Sequence, residues 1–556
     1  MRRDERVENL IRQGLPREVR VQWDEACGLQ ARVDRTQIVS AVQAVIDRGG
    51  RYQVGVGVDR GNGSDRFEFL HSFAFDSAGL AVQVVTDVPE NEPEIPSITP
   101  WVPSAGWSER EHQDLLGLRF VGHPKPKRLV LSDDFPADIH PLRREIPWNL
   151  MPPGAEDVAY QLDEVPEGCS VLPVGPFHPA LHEPAHFAVF VDGETVKGCD
   201  YRGFMVHRGI EKLSQTQLSY GEIPFIAERI CGICGSVHAT AYAQAVEAAA
   251  GIEVSRRARY IRSLMLEMER IHSHLMWIGV LGHVMGFDTL FMHAWRIREP
   301  IMWLAERITG NRKTYGMVVV GGVRRDLTPE IRDDVRRVVE KLEDELKRLE
   351  RDVRVDPAVR KRTVGVGSLS TEETRRWSLI GPVARARGID IDVRRDFPYA
   401  AYDELEFQVP VLSGGDVWST LEVRLEELKW SIRLMRQVVD GLPDDGPLLV
   451  EFAEPIPPGR QAISCVEAPR GECVHYLMTG EENRPARWRV RAPTYANLQG
   501  VPSMLLENQL ADVPVIIASI DPCFSCTDRV SVIDLRRGGA EVLSRSEFER
   551  LAREKR

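Results

Sequence analysis

No stretch of this chain stays apolar long enough to cross a bilayer: the most hydrophobic run, Met276 to Phe287, is short and carries His283. Any membrane association is expected to come through partner subunits. The opening Met-Arg-Arg-Asp-Glu-Arg-Val-Glu-Asn-Leu lacks the apolar core of a secretory signal. Basic, aromatic-interleaved patches are missing, and the formal net charge of −12 argues against nucleic acid as a partner. Neither a Gly-rich dinucleotide fingerprint nor a phosphate-binding Walker loop occurs, so direct NAD or ATP binding has little support. There is no internal repeat or low-complexity tract. Cysteine is sparse, at nine in 556 residues, far from the density of a disulfide-stapled secreted scaffold. These thiols are expected to stay reduced and available to metals, as in the cytoplasm.

The composition that remains, 43% hydrophobic and 28% charged, is that of a soluble globular protein with room for two or three domains. Residues 1–125 read as a small α+β domain. A helix with Ile38, Ala41, Val42 and Val45 on one face precedes β-rich runs at 52–58, 67–75 and 80–88, and a Gly61-Asn62-Gly63 turn separates the first two as in a hairpin. A proline-rich linker follows over 126–164. From 165 the character changes to long helices, predicted at 254–278, 328–353 and 417–439, the second opened by Thr-Pro-Glu. Residues 165–529 are therefore expected to form a large, mainly α-helical domain. The charged run from Glu340 to Arg351 reads as a solvated face. Residues 530–556 form a C-terminal extension whose charged 544–556 segment reads as an exposed helix.

Two Cys-x-x-Cys pairs stand out against this background, Cys231 with Cys234 and Cys523 with Cys526. Four thiolates gathered from distant parts of the chain make a soft, electron-rich cage suited to a redox-active transition metal. The spacing also suits structural zinc, although zinc ribbons keep their pairs about 15–20 residues apart because the metal organises a small local fold. Spacing alone leaves both metals open. The other cysteines, Cys27, Cys169, Cys199, Cys465 and Cys473, read as small buried side chains, and His272 and His274 as packing residues within a helix.

The flanking residues carry a resemblance. Arg229-x-Cys231-Gly-x-Cys234 and Asp521-Pro-Cys523-x-x-Cys526-x-x-Arg529 resemble the two metal-binding motifs of nickel-iron hydrogenase large subunits. Val206-His-Arg-Gly-Ile-Glu211, Gly381-Pro-Val-Ala-Arg385, Glu467-Ala-Pro-Arg470-Gly-Glu and Arg491-Ala-Pro-Thr-Tyr-Ala-Asn497 match as well. The N-terminal part, notably Trp107-x-Glu109-Arg-Glu111 and Gly117-Leu-Arg-Phe-x-Gly122, looks like the 30 kDa subunit of respiratory complex I. The fusion is that of group 4, membrane-associated hydrogenases of the formate hydrogenlyase type. The alternative is a complex I 49 kDa-type quinone oxidoreductase subunit. That subunit is similar in stretches such as Gly175-Pro-Phe-His178-Pro but has lost the nickel-binding cysteines, all of which are present here.

The resemblance implies nickel held by the four cysteines, with Cys234 and Cys526 bridging to an iron that carries carbon monoxide and cyanide. It implies Arg470 over the open metal position and Glu211 as the proton acceptor, its pKa raised toward the working range by partial burial. Arg385 is implied as a donor to a cyanide ligand, and Asp521 and Thr527 as outer hydrogen-bonding residues. Gly232 and Gly235 are expected to permit close backbone approach. No further cysteine cluster has iron-sulfur spacing, so electrons are expected to leave through a small subunit with a proximal 4Fe-4S cluster. The family adds ferredoxin-like and antiporter-like membrane subunits, formate dehydrogenase as one electron donor, and a maturation endopeptidase cutting between Arg529 and Val530. The chain is then expected on the inner face of the cell membrane.

Overall fold

The computed structural model describes residues 3–526, 533–534 and 539–540, except 17, 62–64, 151, 153–161, 179–180, 182, 206 and 453–454; the side chains of 526, 533–534 and 539–540 fall outside the description. Part of the Gly61-Asn62-Gly63 turn, Thr527, the Arg529–Val530 junction and the 544–556 helix also lie outside the described residues.

The N-terminal domain is a five-stranded sheet of β1 (Arg20–Asp24), β2 (Gly28–Arg32), β3 (Arg51–Asp59), β4 (Arg66–Phe75) and β5 (Leu80–Pro89), in the order β1-β2-β5-β4-β3. Within this sheet only β2 and β5 pair in parallel. The β3–β4 hairpin runs in register from Arg51↔Ala74 to Asp59↔Phe67, with one bulge near Tyr52. Helix α1 (Ile38–Ile46) buries the four residues its periodicity selects, Ile38, Ala41, Val42 and Val45. Helix α2 (Gly106–Leu116) packs on β3. Among the described residues, 122–169 contain no helix or strand, as the prolines dictate.

The remainder mixes sheet with helix. Strands β6 (Ser170–Val174), β7 (His186–Asp192) and β8 (Thr195–Arg202) make one three-stranded sheet, followed by the short helix α3 (Ile210–Thr216) and helix α4 (Gly235–Ala250). Four long helices then pack in a ring: α5 (Arg256–Val284), α6 (Asp288–Thr309), α7 (Pro329–Val355) and α8 (Val417–Gly441). Ser255, Thr328 and Asp416 cap α5, α7 and α8 by accepting backbone N–H bonds. Helix α7 is amphipathic as its sequence predicts, burying Val335, Val339, Leu342, Leu346, Leu349 and Val353. Helix α5 is buried on nearly every side, and its Glu267, Arg270, His272 and His274 lie in the core. His274 donates to Glu427 at 2.8 Å and Arg298 donates to His272 at 3.0 Å, in keeping with a packing role.

The region stays mainly helical, as expected, but a second sheet that the sequence did not announce is set among its helices. Strands β9 (Gln461–Ala468), β10 (Gly471–Thr479) and β11 (Pro485–Arg491) pair antiparallel in chain order, and helix α9 (Val513–Ser519) follows. β10 is buried along its whole length, so it lacks the polar alternation that marks a half-exposed strand. β11 joins this sheet to the N-terminal domain through three arginines at alternate positions. Their Nε atoms donate to carbonyls of β3: Arg487 to Gly57 (2.8 Å), Arg489 to Gly55 (3.5 Å) and Arg491 to Gln53 (3.0 Å). Val54, Val56 and Val58 of β3 belong to one apolar core with Val466, Val474 and Leu264.

Candidate metal centre

Cys234 is the N-cap residue of α4, and Cys231 lies one turn earlier. The N-terminal pair is fixed from beneath by Glu269 of α5, which accepts from the amides of Ser236 (2.7 Å) and Val237 (3.1 Å). The Tyr315 hydroxyl donates to the Cys231 carbonyl at 2.9 Å. A Cβ at Gly235 would meet the Tyr315 ring at 2.2 Å and the Glu228 carbonyl at 2.9 Å, so this glycine is required by close approach. Gly232 shows no such contact among the described residues.

The C-terminal pair is held by other elements. Trp277 of α5 donates to the Ala518 carbonyl of α9 at 2.7 Å. Asp521 adopts a left-handed backbone (φ 56°) that aspartate tolerates better than most residues. Its carboxylate accepts from Arg470 at 2.7 Å and Arg424 at 3.3 Å, and its carbonyl accepts from Arg470 Nε at 2.6 Å. The Cys523 amide donates to Thr494 Oγ1 at 3.1 Å, and the Ser525 amide to Glu183 at 2.7 Å.

These supports bring the pairs together. Cys231 Sγ lies 3.2 Å from Cys523 Sγ, well beyond a disulfide bond, and Cys231, Cys234 and Cys523 are outside any disulfide and at most 2% exposed. Arg470, 1% exposed, is close enough to feel all three. Burial works against its charge, but Asp521 and the sulfurs of Cys523, Cys231 and Cys234 hold its pKa above that of free arginine. Two cysteine sulfurs in contact, with the buried Cys234 and a fixed guanidinium nearby, offer the soft donors that suit a transition metal. The side chain of Cys526 lies outside the described residues.

Arg208 lies inside the Val206–Glu211 match, but nothing local in the sequence assigns it a role. Its guanidinium donates to the carbonyls of Arg229 (2.5 Å), Ile230 (2.8 Å) and Ser525 (2.7 Å), tying the two cysteine loops directly to each other. Each carbonyl left unpaired costs about 1–3 kcal/mol. Arg208→Ala is expected to loosen the second loop, raising the rate at which Cys523 reacts with a thiol reagent in metal-free protein. An unchanged labelling rate would remove the clasp role.

Glu211 requires a correction. It sits on α3 beside a cavity of about 60 Å³ that also touches Ile230 and Ser525, neighbours of the cysteines. Its carboxylate accepts from Arg487 (2.6 Å), Arg489 (3.2 Å) and the Val490 amide (3.0 Å). Burial favours a higher pKa, but the two arginines and the amide outweigh it and hold Glu211 down at about 2, not raised. Arg385 is placed in a carboxylate cluster: its nitrogens bond Glu427 (2.7 and 3.0 Å), Glu467 (2.9 Å) and the Ile391 carbonyl (2.8 Å).

Of the remaining cysteines, Cys27, Cys465 and Cys473 are buried as expected, whereas Cys169 and Cys199 are half-buried. Cys473 also belongs to a buried group with His238 and His475 whose ligand atoms lie within 4.8 Å of one another. Trp488 Nε1 donates to His475 Nδ1 at 3.2 Å, which puts the His475 proton on Nε2 and aims it at His238 Nδ1, 3.1 Å away. That proton occupies the lone-pair direction a metal would need, so the group reads as a hydrogen-bond chain.

Comparison with known proteins agrees with this geometry. Residues 31–150 match the 30 kDa subunit of respiratory-chain NADH dehydrogenase, 285–529 match its 49 kDa subunit, and 208–287 match the nickel-dependent hydrogenases. The class is thus the large redox subunit common to hydrogenases and complex I. Formate hydrogenlyase subunit 5 of Escherichia coli is 43% identical over 85% of this chain and 84% of its own. A component of the NADH-quinone oxidoreductase of Gluconacetobacter diazotrophicus is more distant, 31% identical over 83% of each. Among solved structures, the membrane-bound sulfane sulfur reductase, an archaeal respiratory membrane complex, aligns with a TM-score of 0.62 at 32% identity, covering 66% of this chain and 100% of that one. The chain belongs to the group 4, membrane-bound branch of the nickel-iron hydrogenase large subunits.

Proposed function

We propose that this chain is the catalytic subunit for reversible conversion of H2 to protons and electrons, with a nickel-iron centre held by Cys231, Cys234, Cys523 and Cys526. The observation that carries this reading is the contact of two buried sulfurs, Cys231 and Cys523, 292 positions apart in the chain and both felt by Arg470. These four cysteines would hold the nickel and, beside it, an iron carrying carbon monoxide and cyanide. When bound, such a centre supplies heterolytic cleavage of H2 and the two-electron redox change.

The chain's own residues do the rest. Arg470, locked by Asp521 and by Ser273 Oγ at 3.1 Å, presents a cation that needs no reorganisation during turnover. A proton released at the cysteines passes to Glu211 across the small cavity. A carboxylate held this acidic relays protons and does not store them, because it returns them at once near neutral pH.

Electrons leave through a small subunit with a proximal 4Fe-4S cluster, supported by the absence of any iron-sulfur cysteine spacing in the sequence. Ferredoxin-like and antiporter-like membrane subunits, and formate dehydrogenase as electron donor, complete the proposed complex. Among the described residues no helix is long and apolar enough to span a membrane; the proposed attachment is through these partner subunits, on the inner face of the membrane. An endopeptidase cutting after Arg529 would complete maturation. Metal analysis and infrared spectroscopy of the matured complex provide the test. Nickel and iron with bound carbon monoxide and cyanide bands are expected; stoichiometric zinc, or quinone reduction without hydrogen activation, would overturn the reading.

A further inference from the structure

The cavity beside Glu211 has a second carboxylate in its wall. Its 60 Å³, room for a few waters, is lined by Ile230 and Ser525 as well as by Glu211 and Glu111. Glu111 comes from α2 of the N-terminal domain and is 5% exposed. Its oxygens accept from Arg489 Nη1 at 2.8 Å and Nη2 at 2.7 Å, and the same Nη1 reaches Glu211 at 3.2 Å. One guanidinium therefore joins the two acids. Glu211 also accepts hydrogen bonds from Arg487 and the Val490 amide, whereas Glu111 has Tyr495 and a more distant Arg487 beside it.

We infer that Glu111 is the second proton-carrying group of this site: protons relayed by Glu211 pass through the cavity to Glu111, so the N-terminal domain supplies part of the proton route. The inference rests on the hydrogenase reading above. In the transfer the O–H bond on Glu211 breaks as a water takes the proton, and that water gives up a proton to a Glu111 oxygen. No electrons move, and one negative charge passes from Glu111 to Glu211 within reach of Arg489. Facing Glu111 are Arg489, Arg487, Glu211 and Tyr495. Burial, the strongest influence, raises its pKa; Arg489 offsets part of this, and the Glu211 charge adds to the rise. Two acids pushed apart in this way divide the work, Glu211 giving up its proton readily and Glu111 taking one more easily.

Infrared pH titration of the intact complex, alongside H2/D⁺ exchange, tests this in wild type, Glu111→Gln, Glu111→Asp and Glu211→Gln. The wild type is expected to show a deuterium-sensitive carboxylic C=O band that Glu111→Gln lacks and Glu211→Gln retains. Exchange in Glu111→Gln should fall roughly tenfold or more, with the carbon monoxide and cyanide bands intact. Should Glu111→Gln fail to mature, Glu111→Asp keeps the charge opposite Arg489 and is expected to move the midpoint of the exchange profile. An unchanged band and exchange profile in Glu111→Gln, or an unmoved midpoint in Glu111→Asp, would overturn the inference. Absence of carbon monoxide and cyanide bands from the wild type would overturn the nickel-iron reading itself, a separate outcome.

Discussion

Cys523→Ser is expected to lose bound nickel and hydrogen turnover together while the chain still folds. Serine keeps the size of the side chain, and the Cys523 amide remains held by Thr494, so the loop can stay in place. A hydroxyl is a hard, weakly acidic ligand that cannot replace a thiolate on an electron-rich metal. Burying it costs about 1–3 kcal/mol, too little to unfold a domain of this size. Cys465→Ala serves as the control, because Cys465 lies on β9 in contact with Gln53 of the N-terminal domain. Its nickel content should be native. Native nickel in purified Cys523→Ser would remove this cysteine from the ligand set.

The second large effect is expected from Arg470→Lys. A lysine keeps the charge but cannot make the fork by which Arg470 holds both the carboxylate and the carbonyl of Asp521. Removing a preorganised donor from a buried site typically lowers turnover about 10²–10³-fold, and that range is expected here. The carbon monoxide and cyanide bands should persist, since Arg424 still holds Asp521. Full activity would exclude Arg470 from the chemistry, and nickel loss in parallel with activity would assign it to holding the loop.

The motifs and the long helices were legible in the sequence for different reasons. Cysteine pairs with Asp-Pro or Arg-x beside them are recognisable without any fold, and α7 announces itself by valines and leucines on one stripe. Helix α6 carries Pro300 in its interior and exposed Met292, Trp295 and Trp303, so its pattern reads poorly. The strand β11 was hidden because Arg487, Arg489 and Arg491 look like a solvated edge, whereas each is at most 3% exposed. The state of Glu211 could not be read from its neighbours in sequence, because the arginines that set it lie 276 and 278 positions away. Local pattern reports burial of apolar groups; it is silent on which distant charge will compensate a buried one.

The three arginines of β11 have one more consequence. β3 is the outermost strand of its sheet, and a bare strand edge is an invitation to pair with another chain. Side-chain donors to Gln53, Gly55 and Gly57 occupy that edge without adding a strand. Released from the rest of the chain, the N-terminal sheet would expose a row of unsatisfied carbonyls next to Val54, Val56 and Val58, the composition of an aggregation nucleus. Covalent fusion holds the protecting arginines at high effective concentration once they have been synthesised, so joining the two domains in one chain also shields the open edge of β3.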